Sequence, residues 1–205
     1  MAQILVLNSS PAGDQSVSRL LVQEAVARLT AADPAATVVE RDLADEPVPH
    51  LIRTTLHGVR GEPSTTAEHD ARALSDTLLA ELKVADTLVI GSPMHNFSVP
   101  TTLRAWFDHV LRPGQTFAYT EAGPKGLLHG KRAILVLARG GLYTAGPTQS
   151  YDFQEPYLRL LLTFMGITDI QVVHAEKLGM GPDVRALAIE QAREKVATIV
   201  DRVPA

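Results

Sequence analysis

The sequence predicts an α/β domain built on a doubly wound parallel sheet, and three observations predict it. Five short runs rich in Val, Ile and Leu recur along the chain, most of them bounded by Gly, Pro, Ser or Asp. Between them lie longer stretches whose apolar residues fall at helical spacing. The chain has 205 residues, 45% hydrophobic and 20% charged, which suits one such domain and excludes wholesale disorder. A single domain over residues 1–205 is expected.

Each element has its own warrant. Gln3 to Asn8 (QILVLN) is an apolar run stopped by Ser-Ser-Pro and reads as a strand buried on both faces. From Val17 to Thr30, Leu21, Ala25 and Leu29 form one helical stripe with Val22 and Val26 beside it, ended by Asp33-Pro34. Thr37 to Arg41 is a second strand. Residues 44–66 carry Pro47, Pro49, Gly58, Gly61 and Pro63 and read as an excursion with a short helix around 51–57. Ala71, Leu74, Leu78 and Leu82 mark a helix, and Thr87 to Gly91 (TLVIG) the next buried strand. Pro100 opens a helix in its first turn, with Leu103, Phe107, Val110 and Leu111 as core stripe. The Gly- and Pro-rich segment 112–130 holds Phe117 and Tyr119. Arg132 to Ala138 is a strand, Glu155 to Gly166 a helix closed by glycine, and Ile170 to His174 the last strand. A terminal helix over 183–203 turns Leu187, Ala192, Val196 and Val200 inward. Right-handed crossovers between alternating strands and helices leave a parallel sheet covered on both faces.

Composition then removes whole classes of chemistry. With no cysteine there are no disulfides, zinc ribbons, iron–sulfur clusters or thiol nucleophiles. No His-x-x-x-His pair suggests a metal, and no Gly-x-Ser-x-Gly elbow suggests a hydrolase. Nineteen basic against 23 acidic residues, a net charge of −4, give no footprint for nucleic acid. No apolar run approaches the ~20 residues that span a bilayer. No basic leader with a cleavage site is visible, so a cytoplasmic location is expected.

In open α/β sheets, ligands bind outside the carboxyl ends of the strands. Three loops lie there. Residues 8–18 (NSSPAGDQSVS) lead into a helix N-terminus, whose free N–H groups and dipole favour an anion, with Ser10, Ser16 and Ser18 as hydroxyl donors. A plain capped helix, with Ser16 or Ser18 as N-cap, suits the same residues. Residues 92–100 (SPMHNFSVP) place Met94, His95 and Phe97 where a planar aromatic ligand would lie against them; alternatively Met94 and Phe97 fill core and His95 is solvated. At 138–143 (ARGGLY), paired glycines permit close backbone approach to a flat ligand edge, or simply make a turn. Gly130-Lys131 is no P-loop, because position 125 is Lys and the motif precedes a strand. Gly179-Met180-Gly181 lacks the third glycine of a dinucleotide fingerprint, Val184 standing there.

Taken together, SSPAGDQSVS at 9–18, PMHNFSVPTTLRAWFDHV at 93–110, RPGQTFAYTEAGPKGLLHGK at 112–131, ARGG at 138–141 and PYLRLLLTFMGITD at 156–169 resemble the FMN-dependent NADH:quinone oxidoreductase (azoreductase) family of flavodoxin-like proteins. The resemblance covers most of the chain. It implies a flavodoxin-like five-stranded parallel sheet of order 2-1-3-4-5. Ser10, Ser16, Val17 (through its backbone) and Ser18 would hold the FMN phosphate. Met94, His95, Asn96 and Phe97 would line the isoalloxazine and ribityl chain, and Ala138, Arg139, Gly140 and Gly141 the pyrimidine edge. Tyr119 is similar to the family's aromatic residue near the flavin face. The implied activity is ping-pong transfer of hydride from NADH through one FMN per subunit to quinones, and in two rounds to aromatic azo compounds. Homodimers are typical of the family, and 44–66 and 112–130 are the expected interface. His95 stands where the family most often has Tyr, which touches substrate preference more than flavin binding. The alternative from another class is a flavodoxin-type electron carrier, for which a charge of −4 is modest.

Overall fold

The computed structural model describes residues 1–200. Its central sheet is parallel and five-stranded, in the order β2-β1-β3-β6-β7: β1 (Gln3–Asn8), β2 (Thr37–Asp42), β3 (Thr87–Pro93), β6 (Arg132–Ala138) and β7 (Asp169–Ala175). The numbers differ from the expected 2-1-3-4-5 because two further strands, β4 (Phe117–Thr120) and β5 (Gly123–Gly126), pair with each other as a separate antiparallel hairpin.

Strand side chains alternate between the two faces, and the core divides accordingly. Ile4 and Val6 of β1, Val89 of β3 and Ile134 and Val136 of β6 pack under helices α1 (Val17–Ala32) and α6 (Pro182–Val200), which contribute Leu21, Val22, Ala25, Ala192 and Val196. Leu5, Leu7, Leu88, Ile90, Leu135 and Leu137 face the other way. They meet α3 (Thr66–Val84), α4 (Thr101–Val110) and α5 (Glu155–Met165) through Leu78, Leu103, Trp106, Phe107, Leu158 and Leu162. Burying both faces explains why β1, β3 and β6 read as continuous apolar runs. At the edge of the sheet, β2 leaves Val38 and Val39 exposed.

Several boundaries move for identifiable reasons. Helix α3 starts at Thr66, ahead of its apolar stripe, because Thr65 and Glu68 form a reciprocal capping box. Pro100 is the N-cap of α4 rather than part of its first turn. The short helix of the excursion is α2, Leu56–Arg60, set further along than 51–57. Leu187 is exposed, not inward: it lies five residues before Ala192, about 140° around the helix from the buried stripe. The expected helical residues 201–203 fall outside the described residues.

The β4–β5 hairpin docks on the carboxyl end of α5. Phe117 packs on Phe164 with ring centroids 4.6 Å apart, and Leu128 N–H donates to Met165 O at 2.8 Å. Gly126 makes the approach possible, since a Cβ there would stand 2.2 Å from the backbone nitrogen of Gly166.

Candidate active site

The loops leaving the carboxyl ends of the neighbouring strands β1, β3 and β6 meet in one cleft. Between β1 and β3 the strand order reverses, the place where sheets of this kind bind ligands. The cleft is lined by Ser10, Ser16 and Val17 from the first loop, Met94 and His95 from the second, and Ala138, Arg139 and Gly140 from the third. Eight of the residues expected from sequence therefore converge.

In the first loop a 3₁₀ turn at Gly13–Gln15 delivers Ser16 as N-cap of α1, its hydroxyl accepting from Arg19 N–H at 3.2 Å. Among the described residues, the N–H groups of Val17 and Ser18 find no acceptor. The cap takes one orphan donor of the helix and leaves the first two free, so capping does not exclude an anion there. Ser18 is buried, its Oγ 3.1 Å from Ser16 Oγ, so its hydroxyl supports Ser16 instead of lining the cleft. The Arg19 guanidinium is paired with Asp42.

The second loop is tied to the third by Met94 N–H, which donates to Ala138 O at 2.8 Å. His95 and Ser98 then exchange backbone hydrogen bonds of 2.9 and 3.0 Å around a turn with Asn96 at φ +46° and Phe97 at φ +72°. A left-handed conformation at a bulky residue costs about 1–2 kcal/mol and is typical of ligand clamps. Phe97 is no core filler: it is exposed and meets Tyr143 and Tyr151 edge to face at 6.3 and 5.8 Å. Neither Asn96 nor Phe97 lines the cleft itself.

Only the backbone of Arg139 serves the third loop. Its side chain is fully buried and turned away, donating to Gln154 Oε1 at 3.0 Å and lying 2.9 Å from Asp152 and 3.1 Å from Glu176. Gln154 donates in turn to the carbonyl and hydroxyl of Ser92 at 3.0 and 3.1 Å. Glu176 also accepts the N–H of Tyr143 at 2.8 Å. Burial pushes the Glu176 carboxyl up, but Thr144, the Tyr143 N–H and Arg139 together hold it below its ordinary range. A hydrogen bond from His174 at 2.6 Å, with Arg159 at 2.7 Å, draws the neighbouring Glu155 carboxyl down to about 2. This network clamps the ends of β3 and β6 together. It leaves the N–H groups of Gly140 and Gly141 without an acceptor among the described residues.

A family model described as flavodoxin-like fold matches residues 2–200. An FMN-dependent NADH:quinone oxidoreductase of Hyphomonas neptunium is 57% identical over 97% of this chain and 96% of its own length. One from Azotobacter vinelandii is 50% identical over 97% of this chain and all of its own. The chain belongs to the FMN-dependent NADH:quinone oxidoreductase family. Among solved structures, an azoreductase from Bacillus anthracis superposes with a TM-score of 0.91 at 31% identity, covering 99% of this chain and 100% of that one. An FMN-dependent NADH-azoreductase from the same species, in complex with FMN, gives 0.86 at 28% identity, covering 98% and 100%.

Within this family frame, Tyr119 stands apart from the cleft. It is 74% exposed on the hairpin, edge-on to Phe117 at 5.4 Å. Two cleft residues escape a reading of the loops alone, Leu178 and Arg185. For Arg185 a signal exists: it is a cation at the start of a helix, where the macrodipole disfavours one. Gln154 gives no such signal, because its partners are 15 and 62 residues away. Among the described residues no cluster of potential metal ligands occurs.

Proposed function

We infer that this protein is an FMN-dependent NADH:quinone oxidoreductase that also cleaves the azo bond of aromatic azo compounds. The observation that carries the reading is the donor set of the cleft. The first loop brings the amides of Val17 and Ser18, free of protein acceptors, beside the hydroxyls of Ser10 and Ser16, and the third brings the free amide of Gly140, with Gly141 next to it outside the lining, a donor set that fits a phosphate and a heteroaromatic carbonyl edge. The named relatives and the FMN-bound neighbour supply the class.

Bound FMN would supply the hydride acceptor and two-electron donor of the reaction. Val17 and Ser18 N–H, with the hydroxyls of Ser10 and Ser16, would hold the phosphate. The N–H groups of Gly140 and Gly141 would donate to the pyrimidine edge and stabilise negative charge there. Met94 and His95 would form the wall beside the ring system, and an imidazole nitrogen of His95 could pass a proton to the reduced acceptor. Phe97, Tyr143 and Tyr151 form an aromatic rim suited to planar quinones and dyes.

The homodimer is part of the same proposal. Ile52 and Leu56 on the excursion and Tyr119 on the hairpin are large side chains left exposed by a single chain. A partner covering them would bring Tyr119 to a neighbouring cleft; a monomer by sedimentation at micromolar concentration would remove this part. Dependence on NADH, and a chain without cysteine, favour the cytoplasm. No helix among the described residues is long and apolar enough to cross a membrane.

Purified protein should be yellow, release FMN on heating, and oxidise NADH in the presence of menadione. A flavodoxin-type carrier would hold the flavin without consuming NADH on menadione addition. Colourless protein that takes up no FMN would contradict both.

A further inference from the structure

We propose that Arg185 is the anion-binding side chain of the cleft. Its guanidinium faces the phosphate of FMN and distinguishes that cofactor from the uncharged riboflavin. This inference rests on the FMN reading given above.

Four observations converge on it. Arg185 lines the same cleft as Ser10, Ser16 and Val17. Its level along the fold follows from the register of two helices. Helices α1 and α6 each follow a strand of the parallel sheet, and they pack side by side on one face. They are pinned together by Arg193 Nε and Glu24 Oε1 at 2.8 Å. Stepping back eight residues along α6 from Arg193 covers about 12 Å, and seven residues along α1 from Glu24 covers about 10.5 Å. The two steps end at Arg185 and Val17, so Arg185 sits at the level of the N-terminus of α1, on the helix beside it.

Second, the charge is uncommitted. Arg185 forms no ion pair or side-chain hydrogen bond with any described residue. Arg19 is held by Asp42, Arg193 by Glu24 and Glu190, and Arg139 by Asp152, Glu155 and Glu176.

Third, the position opposes the helix dipole. Arg185 N–H donates to Gly181 O at 3.0 Å in the opening turn of α6, where the dipole disfavours a cation; Asp183 shares that turn but forms no ion pair with it. Fourth, the rest of the cradle is neutral. The first loop has no Lys or Arg before Arg19, so without Arg185 a phosphate would meet only amides and hydroxyls.

The test compares two flavins that differ only by the phosphate. Apoprotein is titrated with FMN and with riboflavin, following the quenching of flavin fluorescence, for the wild type, Arg185→Gln and Arg185→Lys. The expected result is an FMN Kd raised about 10- to 100-fold by Arg185→Gln, with riboflavin unchanged and partial rescue by lysine. Added salt should weaken FMN binding by the wild type more than by Arg185→Gln.

Equal losses for both flavins would show that Arg185 only supports the loop, and no loss for either would show that it does not face the ligand. An unchanged FMN Kd with a raised KM for NADH would assign the side chain to the dinucleotide. Each of these overturns the proposal. Wild-type apoprotein that takes up neither flavin overturns the cofactor reading itself, a failure distinct from the others.

Discussion

His95 shows how one side chain separates cofactor binding from substrate choice. Its N–H and carbonyl are occupied by Ser98, so the turn that shapes the cleft wall is held by backbone and is indifferent to the ring. His95→Tyr should therefore leave FMN affinity within about twofold, a change of well under 1 kcal/mol, while altering turnover of quinone and azo acceptors. Failure of the variant to take up flavin would show that the imidazole itself holds the ligand. Glu155 makes a different residue-scale prediction. Its carboxyl lies near 2, mainly through the His174 hydrogen bond, against 4.5 in an unfolded chain. A depressed acid stabilises the fold above the unfolded value and loses that contribution as pH falls toward the folded one. The window is therefore pH 5 to 2, and the amount is on the order of 2–3 kcal/mol. Denaturant unfolding across that range should show Glu155→Gln less stable at pH 7 and less dependent on pH than the wild type. Equal pH slopes would contradict the assignment. Of these residues, His95 was legible because it departs from a motif. The His174 partner of Glu155 and the partners of Arg139 were not, because they meet only when β6, β7 and α5 are brought together.

At the scale of elements, legibility followed burial. The bounds of β1 and β6 can be read to the residue because both are apolar runs enclosed between helix layers. The hairpin cannot, since Gly123–Gly126 reads GPKG, four residues with neither alternation nor β-branched side chains. Its pairing depends on α5, against which Gly126 closes. Gly126→Ala would drive a methyl into the backbone of Gly166, with an overpacking cost of about 1–3 kcal/mol. A fall in Tm of roughly 2–10 °C is expected for a chain of this size. Flavin affinity should hold, because the hairpin contributes nothing to the cleft of the single chain. Unchanged Tm would mean that the hairpin moves away from α5 at little cost. The three loops of the cleft divide in the same way. Each was legible as a site from its polar and glycine content. The buried Arg139–Gln154–Ser92 links that fix their spacing were not, as long-range hydrogen bonds leave no local pattern.

For the whole molecule, the absence of cysteine and the modest charge acquire a reason. A cleft that borrows its reactivity from a flavin needs amides, hydroxyls and a few large side chains, all of which the sheet's carboxyl edge brings together. The doubly wound layering was legible because strands and helices alternate five times in sequence, and the cleft's location followed from the reversal of strand order. The surface around Tyr119 is where a second copy of the chain is proposed to sit. That this cleft holds FMN and passes electrons from NADH onward can be read from one spectrum. Purified protein is recorded anaerobically before and after a slight excess of NADH, and again after addition of a quinone. The flavin absorbance should bleach on NADH and return with the quinone; absorbance unmoved by NADH in flavin-loaded protein would contradict the claim.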